Sequence, residues 1–222
     1  MTVAERLAES KAASGVSESA YRRFLDGDVS LWSSWALWGS ETADLSVFDA
    51  ENRPWERLRS DVFLMGGNTG LFGDGAMKRC GNFHTAGHPG DGKLRNTVPG
   101  TPFEGSFLTD VVKDFPTSDS GPLLRAIRSG DVDVQKHVVE PLELELDTVC
   151  APDDVVVVLL GKGTVRVWDA VVSRGVFPSS LLNRLTVLAE LPHHTAPVSF
   201  KTVLQEFLDA PLTPHVSPAT VR

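Results

Sequence analysis

Three short apolar segments of the sequence are each followed by polar residues that could take part in chemistry. The polar residues are Asn68, the pair Thr109-Asp110, and His194. An amide both donates and accepts hydrogen bonds, an ionised carboxylate only accepts them, and an imidazole can do either. If the apolar segments are parallel strands, their carboxyl ends meet at one edge of a sheet, where ligands bind. The sequence therefore predicts a polar crevice lined by these residues.

The loop that contains Asn68 is rich in glycine. It has the sequence Gly66-Gly67-Asn68-Thr69-Gly70. Its backbone amides could bind a phosphate or a carbonyl oxygen, because glycine lets the backbone approach a ligand closely. The alternative is a structural glycine turn with Asn68 in a left-handed conformation.

Four apolar segments predict the strands that position this crevice. Residues 62–65 and 155–160 are continuous apolar runs closed by glycine, which is typical of strands buried on both faces. Residues 106–112 and 186–191 are the other two strands. Helical spacing recurs between and after them, at residues 123–127, 134–146, 165–172 and 199–208. This order predicts an α/β fold, a three-layer sandwich with a short, mainly parallel, four-stranded central sheet.

The rest of the chain completes a single predicted domain of residues 1–222. Residues 1–50 form an N-terminal helical part, in which we interpret Trp32, Trp35 and Trp38 as a helical stripe facing the core. Residues 53–208 form the core that carries the motifs, with a long irregular loop and one short helix within residues 66–102. Residues 209–222 form an irregular tail.

The composition is that of a globular protein and restricts the classes of function. Of 222 residues, 41% are hydrophobic and 23% charged. The sequence has neither an uninterrupted apolar run of about 18 residues nor the basic-then-apolar order of a signal peptide, so we expect a cytoplasmic protein without membrane association. We also expect a monomer. Two cysteines, Cys80 and Cys150, cannot build a four-cysteine cluster, and no residue set has the spacing of zinc ligands. We expect no metal and no cofactor.

The charge distribution bears on binding to nucleic acid. A net charge of -8 argues against broad, non-specific nucleic-acid binding. A local basic face can coexist with a negative total, and four basic residues lie near the predicted crevice. They are Lys78, Arg79, Lys93 and Arg95. His84 and His88 are further candidates for phosphate contact, and the alternative for all six is that they are ordinary loop residues.

Two motifs resemble those of the uracil-DNA glycosylase superfamily. Residues 62–73, Val-Phe-Leu-Met-Gly-Gly-Asn-Thr-Gly-Leu-Phe-Gly, are similar to the Gly-x-Asn-Pro-Gly first motif of its single-strand-selective and mismatch-specific branches. Residues 194–199, His-Thr-Ala-Pro-Val-Ser, are similar to the second motif, His-Pro-Ser-Pro-Leu-Ser. Thr109-Asp110 lie where the family has a strand ending in its base-reading Asn. The resemblance covers about residues 53–208 and implies a monofunctional DNA glycosylase, which leaves an abasic site, in repair or in antiviral defence.

The resemblance also assigns roles to individual residues. Asn68 would position the attacking water, and His194 would stabilise the charge that develops on the base oxygen. Phe83, or in second place Phe72, would stack on the flipped base, and a core phenylalanine is the competing account for both. Val198 would be the wedge that enters the duplex. Further contacts to the base or to DNA would come from Gly67, Thr69, Gly70, Lys93, Arg95, Thr195, Ala196 and Pro197.

Departures from the family pattern make the substrate a separate question. Thr69 replaces the proline of the first motif, and Thr195 and Ala196 replace Pro and Ser in the second. Asp110 stands where the family reads uracil with Asn, and an ionised Asp can only accept hydrogen bonds. We therefore expect a base with an exocyclic amine, such as a cytosine derivative. If the alignment shifts by one residue, Thr109 reads the base instead.

Two other classes of function stay open on the sequence. One is a non-catalytic nucleic-acid-binding protein with the same fold. The other is a hydrolase of free nucleosides or nucleotides, which the negative net charge suits equally well. The presence of both Asn68 and His194 favours the DNA glycosylase.

Overall fold

A five-stranded, mostly parallel sheet lies at the centre of the structure, with helices on both faces. The computed structural model describes residues 1–11, 14–68, 78–115, 117, 120–193 and 199–217. The strands are Ser34–Trp35 (β1), Val62–Asn68 (β2), Phe107–Val112 (β3), Val155–Leu160 (β4) and Leu185–Leu191 (β5). Their order is β1-β3-β2-β4-β5, and only the pairing of β1 with β3 is antiparallel. The predicted α/β class and the four predicted strands are confirmed, but the sheet has five strands, not four.

The helices form the two outer layers. Their bounds are Val3–Lys11 (α1), Glu18–Asp26 (α2), Val29–Trp32 (α3), Pro89–Thr97 (α4), Ser120–Ser129 (α5), Glu140–Thr148 (α6), Lys162–Val172 (α7), Ser179–Leu182 (α8) and Phe200–Asp209 (α9). A π-helical turn, Gln135–Val139, precedes α6. Three short 3₁₀ turns lie between β1 and β2, at Leu45–Phe48, Ala50–Asn52 and Pro54–Glu56. Among the described residues, no helix is long and apolar enough to span a membrane.

The additional strand, β1, lies within the predicted N-terminal helical part. Trp32 ends α3, Trp35 lies in β1, and Trp38 follows in irregular backbone, so the expected helical arrangement is wrong. The expected place of the tryptophans in the core is confirmed, because Trp35 and Trp38 are buried and Trp32 packs against the core. Aromatic packing accounts for the difference, because the Trp35 ring meets Phe107 of β3 edge-on, with ring centroids 4.8 Å apart. Phe24 of α2 packs edge-on against both rings, with its centroid 5.5 Å from that of Trp35 and 5.9 Å from that of Phe107. Such long-range contacts override local helical spacing.

The core consists of two apolar clusters, one on each face of the sheet. One is covered mainly by α2, α5, α6 and α7, and the other by α1, α4 and α9. All six residues of β4 are buried, as expected for a strand between two helical layers. The parallel strands β2, β3 and β4 therefore end side by side at the same edge of the sheet.

The described part of the tail after α9 is irregular, and it is fixed to the domain. Leu212 N–H donates to the Met1 carbonyl at 3.1 Å, and His215 N–H donates to the Val187 carbonyl of β5 at 2.7 Å. The acceptor of the second bond is a carbonyl of β5, the last strand in the order of the sheet. The tail thus covers part of this edge of the sheet.

Candidate functional site

Asn68 is the last residue of β2, at the carboxyl edge of the sheet. Its side-chain Nδ2 donates to the carbonyl oxygens of Phe115 and Thr117, at 3.1 and 3.0 Å. Both acceptors belong to the segment that follows β3. These two bonds fix the amide plane, so that the carbonyl Oδ1 is the acceptor that the side chain presents on its other side.

A buried carboxylate, that of Asp110 in β3, lies close to the end of β2. Asp110 is paired in register with Gly66, and its side chain is on the sheet face that carries Phe83. A Cβ on Gly66 would lie 2.3 Å from Asp110 Oδ1 and 3.1 Å from Phe83 Cζ. The absence of a side chain at Gly66 therefore lets the carboxylate and the aromatic ring pack against the β2 backbone.

Asn82 orients this carboxylate. Its Nδ2 donates to Asp110 Oδ2 at 2.9 Å and to the Trp32 carbonyl at 2.8 Å. Burial raises the pKa of Asp110 to about 6, although the Asn82 bond and the nearby Lys113 charge act in the opposite direction. The Lys113 ammonium donates to the backbone carbonyl of Asp110 and pairs with Glu145, so it is not an ion-pair partner of the Asp110 carboxylate.

Thr109 faces the opposite side of the sheet from Asp110. Its hydroxyl donates to Glu145 Oε1 of α6 at 2.5 Å. Lys113 Nζ and Trp32 Nε1 also donate to the Glu145 carboxylate, at 3.1 and 2.9 Å. Burial raises the pKa of Glu145, against the lowering effect of Lys113 and of these hydrogen bonds. Thr109 is thus part of a buried polar network behind the sheet, and of the two candidate base readers only Asp110 lies beside Phe83.

Phe83 lies next to the candidate site, but its neighbours in the chain are buried, whereas the sequence predicts that they lie outside the core. We expected polar neighbours to keep this segment out of the core, yet Asn82, Phe83 and His84 are 5%, 7% and 3% exposed. The Asn82 amide and His84 Nε2 can be buried because they lie within hydrogen-bond distance of carbonyl and carboxylate oxygens. Phe83 also has a φ of 62°, a left-handed backbone that turns the segment under the β2 end.

The two histidines suggested for phosphate contact have structural partners. The His84 ring is buried between Trp38 and Phe48, and its Nε2 lies 3.2 Å from the Trp35 carbonyl. Burial lowers the pKa of His84 to about 4. His88 precedes α4, and its Nδ1 lies 2.7 Å from Asp91 Oδ1. His84 is therefore a neutral core residue, and not a surface contact for phosphate.

The predicted basic face is only partly available for a ligand. Arg79 Nη1 donates to the carbonyls of Leu25 and Gly27, and an Arg95 guanidinium nitrogen donates to the Ser40 carbonyl. Both guanidinium groups are thereby directed at backbone oxygens of this chain. Lys93 and Arg95 both lie on α4 and are half-buried.

Gly67 of β2 and His193, two residues after the end of β5, both lie against the first turn of α7. A Cβ on Gly67 would lie 3.7 Å from Thr164 Oγ1 in that turn. Gly161, at the start of α7, has a φ of 89°, and a Cβ there would lie 2.6 Å from the Cβ of His193. The Gly161 N–H donates to the Leu191 carbonyl at 2.7 Å. The ends of β2 and β5 thus flank the first turn of α7.

The other predicted site residues lie outside the described residues. They are Thr69, Gly70, Phe72, His194, Thr195, Ala196, Pro197 and Val198. Sequence reasoning missed Asn82, which orients Asp110, and Gly66 as the position that makes room for it. A separation of 28 residues between Asn82 and Asp110 has no local signature. The described residues contain no group of three or more His, Cys, Asp or Glu that could hold a metal ion.

No family model matches this chain, and comparisons with curated proteins and with solved structures gave no significant match. The resemblance to the uracil-DNA glycosylase superfamily therefore stays a prediction from two short motifs.

Proposed function

We propose that this protein is a DNA glycosylase that hydrolyses the N-glycosidic bond of a flipped-out base and leaves an abasic site. The observation that carries the proposal is the juxtaposition of Asn68, fixed by two backbone carbonyls, with the buried Asp110 and Phe83 at the end of β2. An oriented amide oxygen, an acceptor for a base edge and an aromatic ring are the groups that excision of a base requires.

Asn68 acts in the bond-breaking step. As the bond breaks, its electron pair leaves with the base and positive charge develops on the sugar. Asn68 Oδ1 accepts a hydrogen bond from a water whose oxygen then bonds to the sugar carbon, and the water proton passes to solvent. An amide is not a strong base, so the substrate base must be a good leaving group or be stabilised as it leaves. His194 is our candidate for that stabilisation.

Asp110 selects the base. Its Oδ2 accepts from Asn82, and among the described residues no donor bonds to Oδ1, the oxygen beside Gly66. With a pKa of about 6 the group is mostly ionised at neutral pH, so it accepts hydrogen bonds only. An exocyclic amine, as on cytosine and its derivatives, matches such an acceptor. The keto oxygen O4 of uracil does not.

The biological setting belongs to the same proposal. We propose DNA as the partner and a monomer acting in the cytoplasm, in repair or in defence against DNA that carries non-standard bases. The first turn of α7 and the segment after β5 would lie against the DNA strand.

A panel of oligonucleotides tests the proposal. Each carries one labelled base, including uracil, cytosine and modified cytosines, and alkali cleaves at any abasic site. We expect breaks with the wild-type protein that Asn68→Ala reduces by about 100-fold or more. The control is Asn183→Ala, which changes an exposed asparagine at the end of α8.

Three results would contradict the proposal. Absence of breaks for every base would favour a non-catalytic nucleic-acid-binding protein. Activity on free nucleosides alone would favour a nucleoside hydrolase. Equal activity of Asn68→Ala and wild type would remove Asn68 from the mechanism.

A further inference from the structure

A cleft with a volume of about 430 Å³ lies on the outer surface between α5 and α7. It is lined by Arg128, Arg166, Asp169, Ala170, Ser173 and Arg174. The last five lie in α7 or within two residues of its end. They are spaced three or four residues apart, or are adjacent, so they share one side of that helix. Arg128 comes from the last turn of α5, which packs against α7.

The cleft has an excess of positive charge. Within the part of the chain that the structure describes, none of its three guanidinium groups has an ion-pair or hydrogen-bond partner. Arginine is always charged, so three positive charges face one cleft in a protein whose net charge is -8. The single carboxylate in the lining, Asp169, lies 2.8 Å from His215 Nε2 through its Oδ1.

This cleft is separate from the candidate active site. Thr164, which faces Gly67, is buried on the side of α7 that packs against the sheet. The three arginines of the cleft are exposed, and Arg174 is ten residues, or about 15 Å of helix, beyond Thr164. A ligand in the cleft would therefore bind on the outer side of α7, whereas Asn68 lies in the sheet beneath.

We propose that this cleft binds a compact ligand with at least two phosphate groups, of the di- or triphosphate class. Guanidinium groups match phosphate oxygens in geometry and charge, and three of them around one cleft suit a multiply charged anion. The volume is within the range of small-ligand sites, and the lining has no aromatic residue on which a base could stack. The phosphates are therefore the recognised group. This inference does not depend on the proposed glycosylase activity.

Titration calorimetry with the full chain tests the inference at constant ionic strength. The probes are pyrophosphate and a nucleoside triphosphate, with the corresponding nucleoside as a ligand without phosphate. We expect saturable 1:1 binding of both phosphate ligands and none of the nucleoside. Arg128→Gln and Arg166→Gln should each weaken pyrophosphate binding by roughly three- to tenfold, because each removes one charge-assisted contact.

The matched control is Arg125→Gln, which removes an exposed charge from the same helix, outside the cleft. It should leave the affinity for pyrophosphate unchanged, and thermal melts of all variants should match wild type. Equal weakening by Arg125→Gln would show general electrostatic attraction and overturn the inference. Absence of saturable pyrophosphate binding would overturn it as well. So would a single-stranded oligonucleotide that displaces pyrophosphate, because the cleft would then be a nucleic-acid contact.

Discussion

At the scale of single residues, the protonation of Asp110 makes the stability of the folded protein depend on pH. Its pKa in the folded protein, about 6, is above the ordinary value of 3.8 because the group is buried. The folded state thus binds the proton more tightly than the unfolded state. The resulting stabilisation is fully present below pH 3.8 and is lost as the pH rises through about 6. Ionised Asp110 therefore costs stability at neutral pH.

Asp110→Asn should remove this cost, since an amide stays neutral and can still accept from Asn82. We expect the variant to be more stable than wild type above pH 6, by up to about 3 kcal/mol, with a difference that shrinks toward pH 4. Urea unfolding across this pH range measures it. Asp28→Asn, at an exposed carboxylate before α3, should change stability by less than about 0.5 kcal/mol at every pH. A pH-independent difference for Asp110→Asn would contradict the prediction.

The same substitution should change the preferred base. Asn can both donate and accept, so it matches uracil, whereas ionised Asp110 matches an amine. The ratio of excision rates for uracil over cytosine derivatives should rise by about tenfold or more in Asp110→Asn. The measurement is a pair of single-turnover rates for each protein. The base-selection role is wrong if wild type already excises uracil as fast as any cytosine derivative, or if the ratio does not change.

At the scale of elements, the packing at the end of β2 requires a residue without a side chain at position 66. A Cβ on Gly66 would lie 2.3 Å from Asp110 Oδ1, whereas on Gly67 the nearest atom would be 3.7 Å away. Gly66→Ala must therefore displace the carboxylate or the strand, and should destabilise the protein by about 1–3 kcal/mol. Gly67→Ala, one position along the same strand, should change stability by less than about 1 kcal/mol. Equal effects of the two variants in urea unfolding would show that the contact with Asp110 is unimportant.

How far the elements could be predicted depends on whether their cause is local. β4 was predictable because six consecutive apolar residues have few other structures open to them in an α/β chain. β1 was not, because two residues become a strand only through pairing with Phe107 and Leu108, which are distant in sequence.

The same distinction between local and long-range causes applies to the residues of the candidate site. Asn68 and Asp110 could be predicted as polar residues in or next to apolar runs, although Asp110 lies within β3 and not at its end. The burial of Asn82 and the orientation of Thr109 toward Glu145 are tertiary effects.

At the scale of the whole molecule, one buried guanidinium joins three parts of the domain. Arg59, 1% exposed, donates from Nε and Nη2 to Asp61, at 2.8 and 2.7 Å. It also donates to the Leu7 carbonyl of α1 at 2.8 Å and to the Pro102 carbonyl before β3 at 2.7 Å. Burial alone would raise the pKa of Asp61, but hydrogen bonds, first from Arg59, lower it overall. This contribution to stability is therefore present above pH 3.8 and is lost as the pH falls through the lowered pKa.

Arg59→Met should destabilise the domain by about 3–5 kcal/mol at pH 7, because it leaves the Asp61 charge buried without its partner. The loss should be smaller at pH 3, where Asp61 can be protonated. Arg59→Met combined with Asp61→Leu should recover part of it, since no charge then stays buried. The control is Arg57→Met, which breaks an exposed pair with Glu104 and should cost less than about 1 kcal/mol. If urea unfolding gave Arg57→Met and Arg59→Met the same loss, Arg59 would not be the residue that ties α1 to the sheet.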